Sequence, residues 1–67
     1  MIITIKQIHS YSFPTEIKIN NISYMEKRKN YNEQIKGDIL YIVGLGGKEF
    51  LLQNENEFNR VRDLWTS

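Results

Sequence analysis

A chain of 67 residues that contains no cysteine has to hold itself together largely by apolar packing. A domain of that size buries only about 60% of the surface its unfolded chain exposes, so its core has little margin. Small domains commonly compensate with disulfides or a structural metal. Without a thiol there is neither a disulfide nor a thiolate zinc site, and His9 is the only imidazole. No metal and no cofactor is therefore expected. Stability must come from a hydrophobic core, from self-association or from a partner. The length leaves room for one small domain over 1–67 and for no second one.

Alternation of apolar and polar residues places that core on strands. In the β-branched segment Met1 to Ile8, Ile3 and Ile5 alternate with Thr4 and Lys6. His9-Ser10-Tyr11-Ser12-Phe13-Pro14 breaks the pattern, and Pro14 cannot donate to a sheet ladder. Thr15–Ile19 alternates again and is followed by Asn20-Asn21, a pair suited to a two-residue hairpin turn. That turn would set Ile19 opposite Ile22 and Ile17 opposite Tyr24, with all four on one face. From Glu26 to Lys36 a long third strand, a mobile polar loop and a short extended segment are expected.

Gly37-Asp38 marks a further turn. Ile39–Val43 is the most apolar run and reads as a central strand covered on both faces. Gly44-Leu45-Gly46-Gly47 then turns the chain into a last strand, Lys48–Gln53. Asn54 and Glu57 have the spacing of a capping box. Phe58, Val61, Leu64 and Trp65 fall on one side of the helix that follows. Arg60 and Arg62 lie toward its C-terminal end, where the helix dipole favours cations. A helix of about eleven residues is marginal alone in water, so it must dock. The expected fold is α+β and mostly β: an antiparallel four- to five-stranded sheet or small barrel with one C-terminal helix packed on it.

The charge balance narrows function. Nine basic and eight acidic side chains leave a net charge of +1, which fits neither an acidic DNA mimic nor a general polycation. The apolar start alternates with polar residues too soon for a signal peptide. No run approaches the ~18 apolar residues of a membrane span. A cytoplasmic protein with no membrane partner is expected, and the lack of cysteine fits a reducing compartment. Asn21-Ile22-Ser23 is then a coincidental sequon. The absence of alanine and the wealth of isoleucine, asparagine, lysine and tyrosine suggest AT-rich codons, as in a phage or a low-GC bacterium.

Catalytic chemistry finds little material. His9 stands beside Ser10 and Ser12, but sequence neighbours do not make a triad without a third group to orient the base. Gly44-Leu45-Gly46-Gly47-Lys48 lacks the spacing and the hydroxyl residue of a phosphate loop, since Glu49 follows. A non-enzymatic protein is expected. Two groups of residues suggest binding. Tyr11, Phe13, Tyr24 and Tyr31, with Arg28 at the rim, are candidate anchors for another protein, because aromatics and arginine dominate interfaces. Lys27, Arg28 and Lys29 beside Tyr31 form the alternative, a nucleic-acid surface of phosphate contacts and a stacking ring. A third reading is a subunit that completes its fold in a homo-oligomer. The favoured expectation is a phage-type or accessory protein that binds and modulates a host protein.

Overall fold

The structure, a computed structural model, describes residues 1–8 and 15–67. It consists of β1 (Ile2–Ile5), β2 (Thr15–Lys18), a 3-10 turn (Ile19–Asn21), β3 (Ile22–Lys29), β4 (Ile39–Leu45), β5 (Lys48–Leu52) and α1 (Glu55–Thr66). The expected mostly β, α+β architecture is what is found. β1 and β2 form an antiparallel pair, and β3-β4-β5 form an antiparallel meander with β4 in the middle. No barrel closes. The two sheets meet where Gln7 bridges Leu52. There Gln53 N–H donates to the Lys6 carbonyl at 2.9 Å and Ile8 N–H to the Leu51 carbonyl at 3.1 Å. Among the described residues, no helix is long and apolar enough to cross a membrane.

The core lies between the two sheets and α1. Ile5, Ile17, Ile19, Ile22, Val43, Leu52, Phe58 and Val61 form it, with Leu64 and Trp65 half-buried against them. The tail helix thus docks through the expected stripe. β4 is covered on both faces at its centre, where the adjacent Ile42 and Val43 are 1% and 0% exposed. Gly46 and Gly47 form the β4–β5 turn, with φ of +61° and +77°. Positive φ at both central residues is what a tight hairpin between right-twisted strands requires. The turn is shorter than expected, because Gly44 and Leu45 belong to β4.

The hairpin expected at Asn20-Asn21 does not form. β2 pairs with β1, in the register Ile3 with Ile17 and Ile5 with Thr15. Neither asparagine takes the positive φ that such a turn needs, since no non-glycine residue does among those described. Asn20 and Asn21 instead belong to the 3-10 turn that carries the chain from one sheet to the other. Burial of Ile19, the first residue of the turn, and of Ile22, just after it, explains the preference: both serve the core shared by the two sheets. Tyr24 also leaves the expected face. The β3–β4 register shifts between Ile22 and Tyr24. One extra residue, Ser23, lets Ile22 point inward while Tyr24 points outward.

The helix start differs from a full capping box in an instructive way. The Asn54 side chain accepts from Glu57 N–H at 2.9 Å, as a cap should. The Glu57 carboxylate does not reach back to Asn54. It accepts from the main-chain N–H of Lys6 at 2.7 Å and from Arg60 at 2.8 and 2.9 Å. Arg60 in turn donates to the Thr4 carbonyl at 2.6 Å, so it serves the strand rather than the helix end. Glu57 is 7% exposed, and a buried carboxylate is stable only with such partners.

Arg60, and then Lys6 N–H, hold the Glu57 carboxyl below its ordinary value of 4.5. A depressed folded value adds stability that is complete above the unfolded value and lost as pH falls through the folded one. Glu57→Ala should therefore lower stability by about 2–3 kcal/mol at neutral pH, the range for a hydrogen-bonded charged group. The smaller deficit of Glu57→Gln should shrink once pH falls below 4.5. Denaturant titrations from about pH 7 to about pH 3 measure this, and a gap unchanged over that range would contradict it.

Candidate functional site

Strand alternation divides the residues singled out in the sequence between two faces. Cross-strand register sets Tyr24, Gly44 and Glu49 in one row of the β3-β4-β5 sheet, and Glu26, Ile42 and Leu51 in the next. Arg28 pairs with Leu40 in the row after. All these rows lie on the face turned away from α1, because the intervening residues Met25, Val43 and Phe50 pack toward the core.

Gly44 makes the first row possible. A Cβ there would fall inside the Tyr24 ring, so the bare backbone is what lets the ring lie across β4. The Tyr24 hydroxyl then donates to Glu49 on the far strand. Arg28 reaches the same carboxylate with two nitrogens, at 3.2 and 3.0 Å, and also pairs with Glu26. Arg28 first, and then Tyr24, hold the Glu49 carboxyl below the usual carboxylate range. The hydrogen bond to Glu49 raises the Tyr24 phenol. Bonds to Glu49 and then Glu26 raise the Arg28 guanidinium, which stays charged. Isolated surface ion pairs contribute little stability, but a forked arginine between two carboxylates and a tyrosine has a fixed position.

The other basic residues go elsewhere. Lys27 Nζ stands 5.6 Å from the centroid of the Phe58 ring, and Lys29 Nζ stands 5.3 Å from that of Tyr31. The run Lys27-Arg28-Lys29 is thus not one patch, since consecutive strand residues point to opposite faces. Tyr31 follows β3 and is 82% exposed. Its loop is organised by Asn30, whose side-chain amide donates to the carbonyls of Ile35 at 2.9 Å and Gly37 at 2.8 Å. Asn30 Oδ1 accepts from Asn32 N–H at 2.8 Å, and Asn32 Oδ1 accepts from Gln34 N–H at 2.9 Å. No strand forms in the segment before Gly37, where a short extended piece was expected: residues 30–38 hold one turn, at 33–34, and bends.

Of the five candidate anchors, Tyr24 and Arg28 come together on the outer face and Tyr31 stands apart on the loop. Tyr11 and Phe13 lie outside the described residues, as does His9 with its neighbouring serines. Sequence reasoning missed Glu49, Gly44 and Asn30. Glu49 becomes visible once the Gly46-Gly47 turn sets the β4–β5 register, which brings it opposite Gly44. Asparagine's capacity to bond nearby main chain was the available signal for Asn30. Comparison with protein-family models, with curated proteins and with solved structures finds no match.

The fit of Tyr24 over Gly44 is testable by a double-mutant cycle. Gly44→Ala should destabilise the wild-type chain by about 1–3 kcal/mol through overcrowding. In a Tyr24→Ala background the same change should be neutral or stabilising, because alanine suits a strand better than glycine. Chemical denaturation of the four proteins measures the coupling, and additive effects would show that ring and glycine do not meet.

Proposed function

We propose that this chain is a small non-enzymatic protein that binds and modulates another protein, through Tyr31 and the Tyr24–Arg28 face. The observation that carries the reading is Tyr31. A large ring, 82% exposed, stands on a loop that Asn30 holds by its side-chain bonds. An aromatic anchor presented on an ordered loop loses little conformational freedom when it is covered, which favours binding. Tyr24 and Arg28, fixed by Glu49, supply a second ordered group of the composition that interfaces prefer. A phage-type accessory protein acting on a host protein in the cytoplasm is the concrete form of this proposal.

The pairing of Lys29 with Tyr31 favours a second reading, a single-strand nucleic-acid surface with one cation and one stacking ring. Against it, Glu26 and Glu49 already neutralise Arg28, and Lys27 lies over Phe58.

Affinity capture from lysate with the wild type and with Tyr31→Ala as bait separates these readings. The substitution should alter stability by less than about 0.5 kcal/mol, because the ring is on the surface. One protein recovered reproducibly by the wild type and lost with Tyr31→Ala is the expected result. Recovery of nothing above background would overturn the reading. Retention of a single-stranded oligonucleotide that falls steeply with salt would replace it with the nucleic-acid reading.

A further inference from the structure

Among the described residues β3 is the longest strand, at eight residues, and has a strand partner on one side only. The side that lacks one can be identified residue by residue. Asn30 N–H donates to the Asp38 carbonyl at 2.8 Å, continuing the β3–β4 ladder. Main-chain groups alternate in direction along an antiparallel strand. Tyr24, Glu26 and Arg28 therefore bond to β4, while the N–H and C=O groups of Met25, Lys27 and Lys29 face away from it. Among the described residues no strand pairs with them.

The other strand sides are handled differently. β1 is joined to β5 at Gln7 and Leu52 and is closed farther back by Glu57 and Arg60. The outer side of β2 is four residues long and carries both Glu16 and Lys18. Among the described residues, β3 alone offers a long edge with charge of one sign on the face of Lys27 and Lys29. Lys27 and Lys29 share a face at positions two apart, and among the described residues neither makes an ion pair. On the opposite face Arg28 is already matched by Glu26 and Glu49.

From this we infer that the open side of β3 receives an extended acidic segment of a partner protein as an added strand. The inference rests on the protein-binding reading above and specifies the chemistry of the partner. Main-chain bonds to Met25, Lys27 and Lys29 supply the attachment, as in strand addition generally. Carboxylates at alternate positions of the incoming strand face Lys27 and Lys29, and uncharged residues between them face the Tyr24 side. A second copy of this chain is a poor occupant. Registers that overlap residues 27–29 of two copies set lysine beside lysine, and like charges directly opposite each other destabilise a pair. The same lysines that deter self-association select an acidic guest.

A capped peptide of alternating threonine and glutamate, about as long as β3, is the probe; its lysine counterpart and a copy with methylated alternate amides are the controls. Binding is followed on the full chain by main-chain amide exchange. The acidic peptide should slow exchange at Met25, Lys27 and Lys29, and both controls should fail to do so. The double variant Lys27→Glu/Lys29→Glu, folded by the same exchange pattern at Tyr24, Glu26 and Arg28, should bind the acidic peptide at least about tenfold more weakly, the scale of two surface charge pairs reversed. Binding that leaves the three edge amides unprotected, or that survives amide methylation, overturns strand addition while leaving protein binding through Tyr31 intact. Absence of binding to the wild type, or protection of those amides by a single-stranded oligonucleotide instead, overturns the acidic-segment assignment.

Discussion

Between Ile2 and Ile5, β1 has β2 on one side and, among the described residues, no strand on the other. The carbonyl of Thr4 and the N–H of Lys6 would be left at the boundary of the core, where an unmet main-chain group is costly. Arg60 and Glu57 meet them, and they come from the helix. One turn of α1 thus does for β1 what a neighbouring strand would do. Farther along, Gln53 and Leu51 take over with main-chain bonds of their own. The two small sheets share a core because β1 can pass from helix side chains to β5 without a gap. Phe58 and Val61 are set into that core by the same turn of helix that carries Glu57 and Arg60.

Patterns with a single period were legible in the sequence. Alternation located the strands, the stripe Phe58-Val61-Leu64-Trp65 located the helix and its buried side, and Gly44-Leu45-Gly46-Gly47 located the last hairpin, though only Gly46 and Gly47 turn. Each of these depends on residues close together in the chain. The failures share the opposite property. Asn20-Asn21 suits a hairpin as well as it suits a 3-10 turn, and the choice lay with burial of Ile19 and Ile22 in a core whose other members, Ile5, Phe58 and Val61, are distant in sequence. Glu57 fits a capping box, but Lys6, far away in sequence, offers its carboxylate a better partner. The basic run looked like a patch because sequence proximity was taken for spatial proximity, which a strand does not allow.

The candidate surface shows the same division. Tyr24 and Arg28 were identifiable by residue type, but not the carboxylate that joins them, because Glu49 lies two strands from Tyr24 across a glycine. Exposure of Tyr31 was expected for a polar segment. The Asn30 bonds beneath it were not, since they depend on the carbonyls of Ile35 and Gly37 turning back toward β3. Order at an exposed position is what these residues have in common.

The shift at Ser23 has a consequence for how this chain can vary. The bulge absorbs one residue, so every position of β3 beyond it keeps the side of the sheet it would have if Tyr24 followed Ile22 directly. Exchanging Ser23 for another residue leaves that phase alone. Deleting Ser23 would leave it alone as well, since adjacent strand residues point to opposite faces; flattening the bulge with Ser23 retained is what would send the Tyr24, Glu26 and Arg28 positions inward and bring Met25 and Lys27 out. The bulged pairing, rather than Ser23 itself, is therefore what must persist for as long as a residue stands between Ile22 and Tyr24.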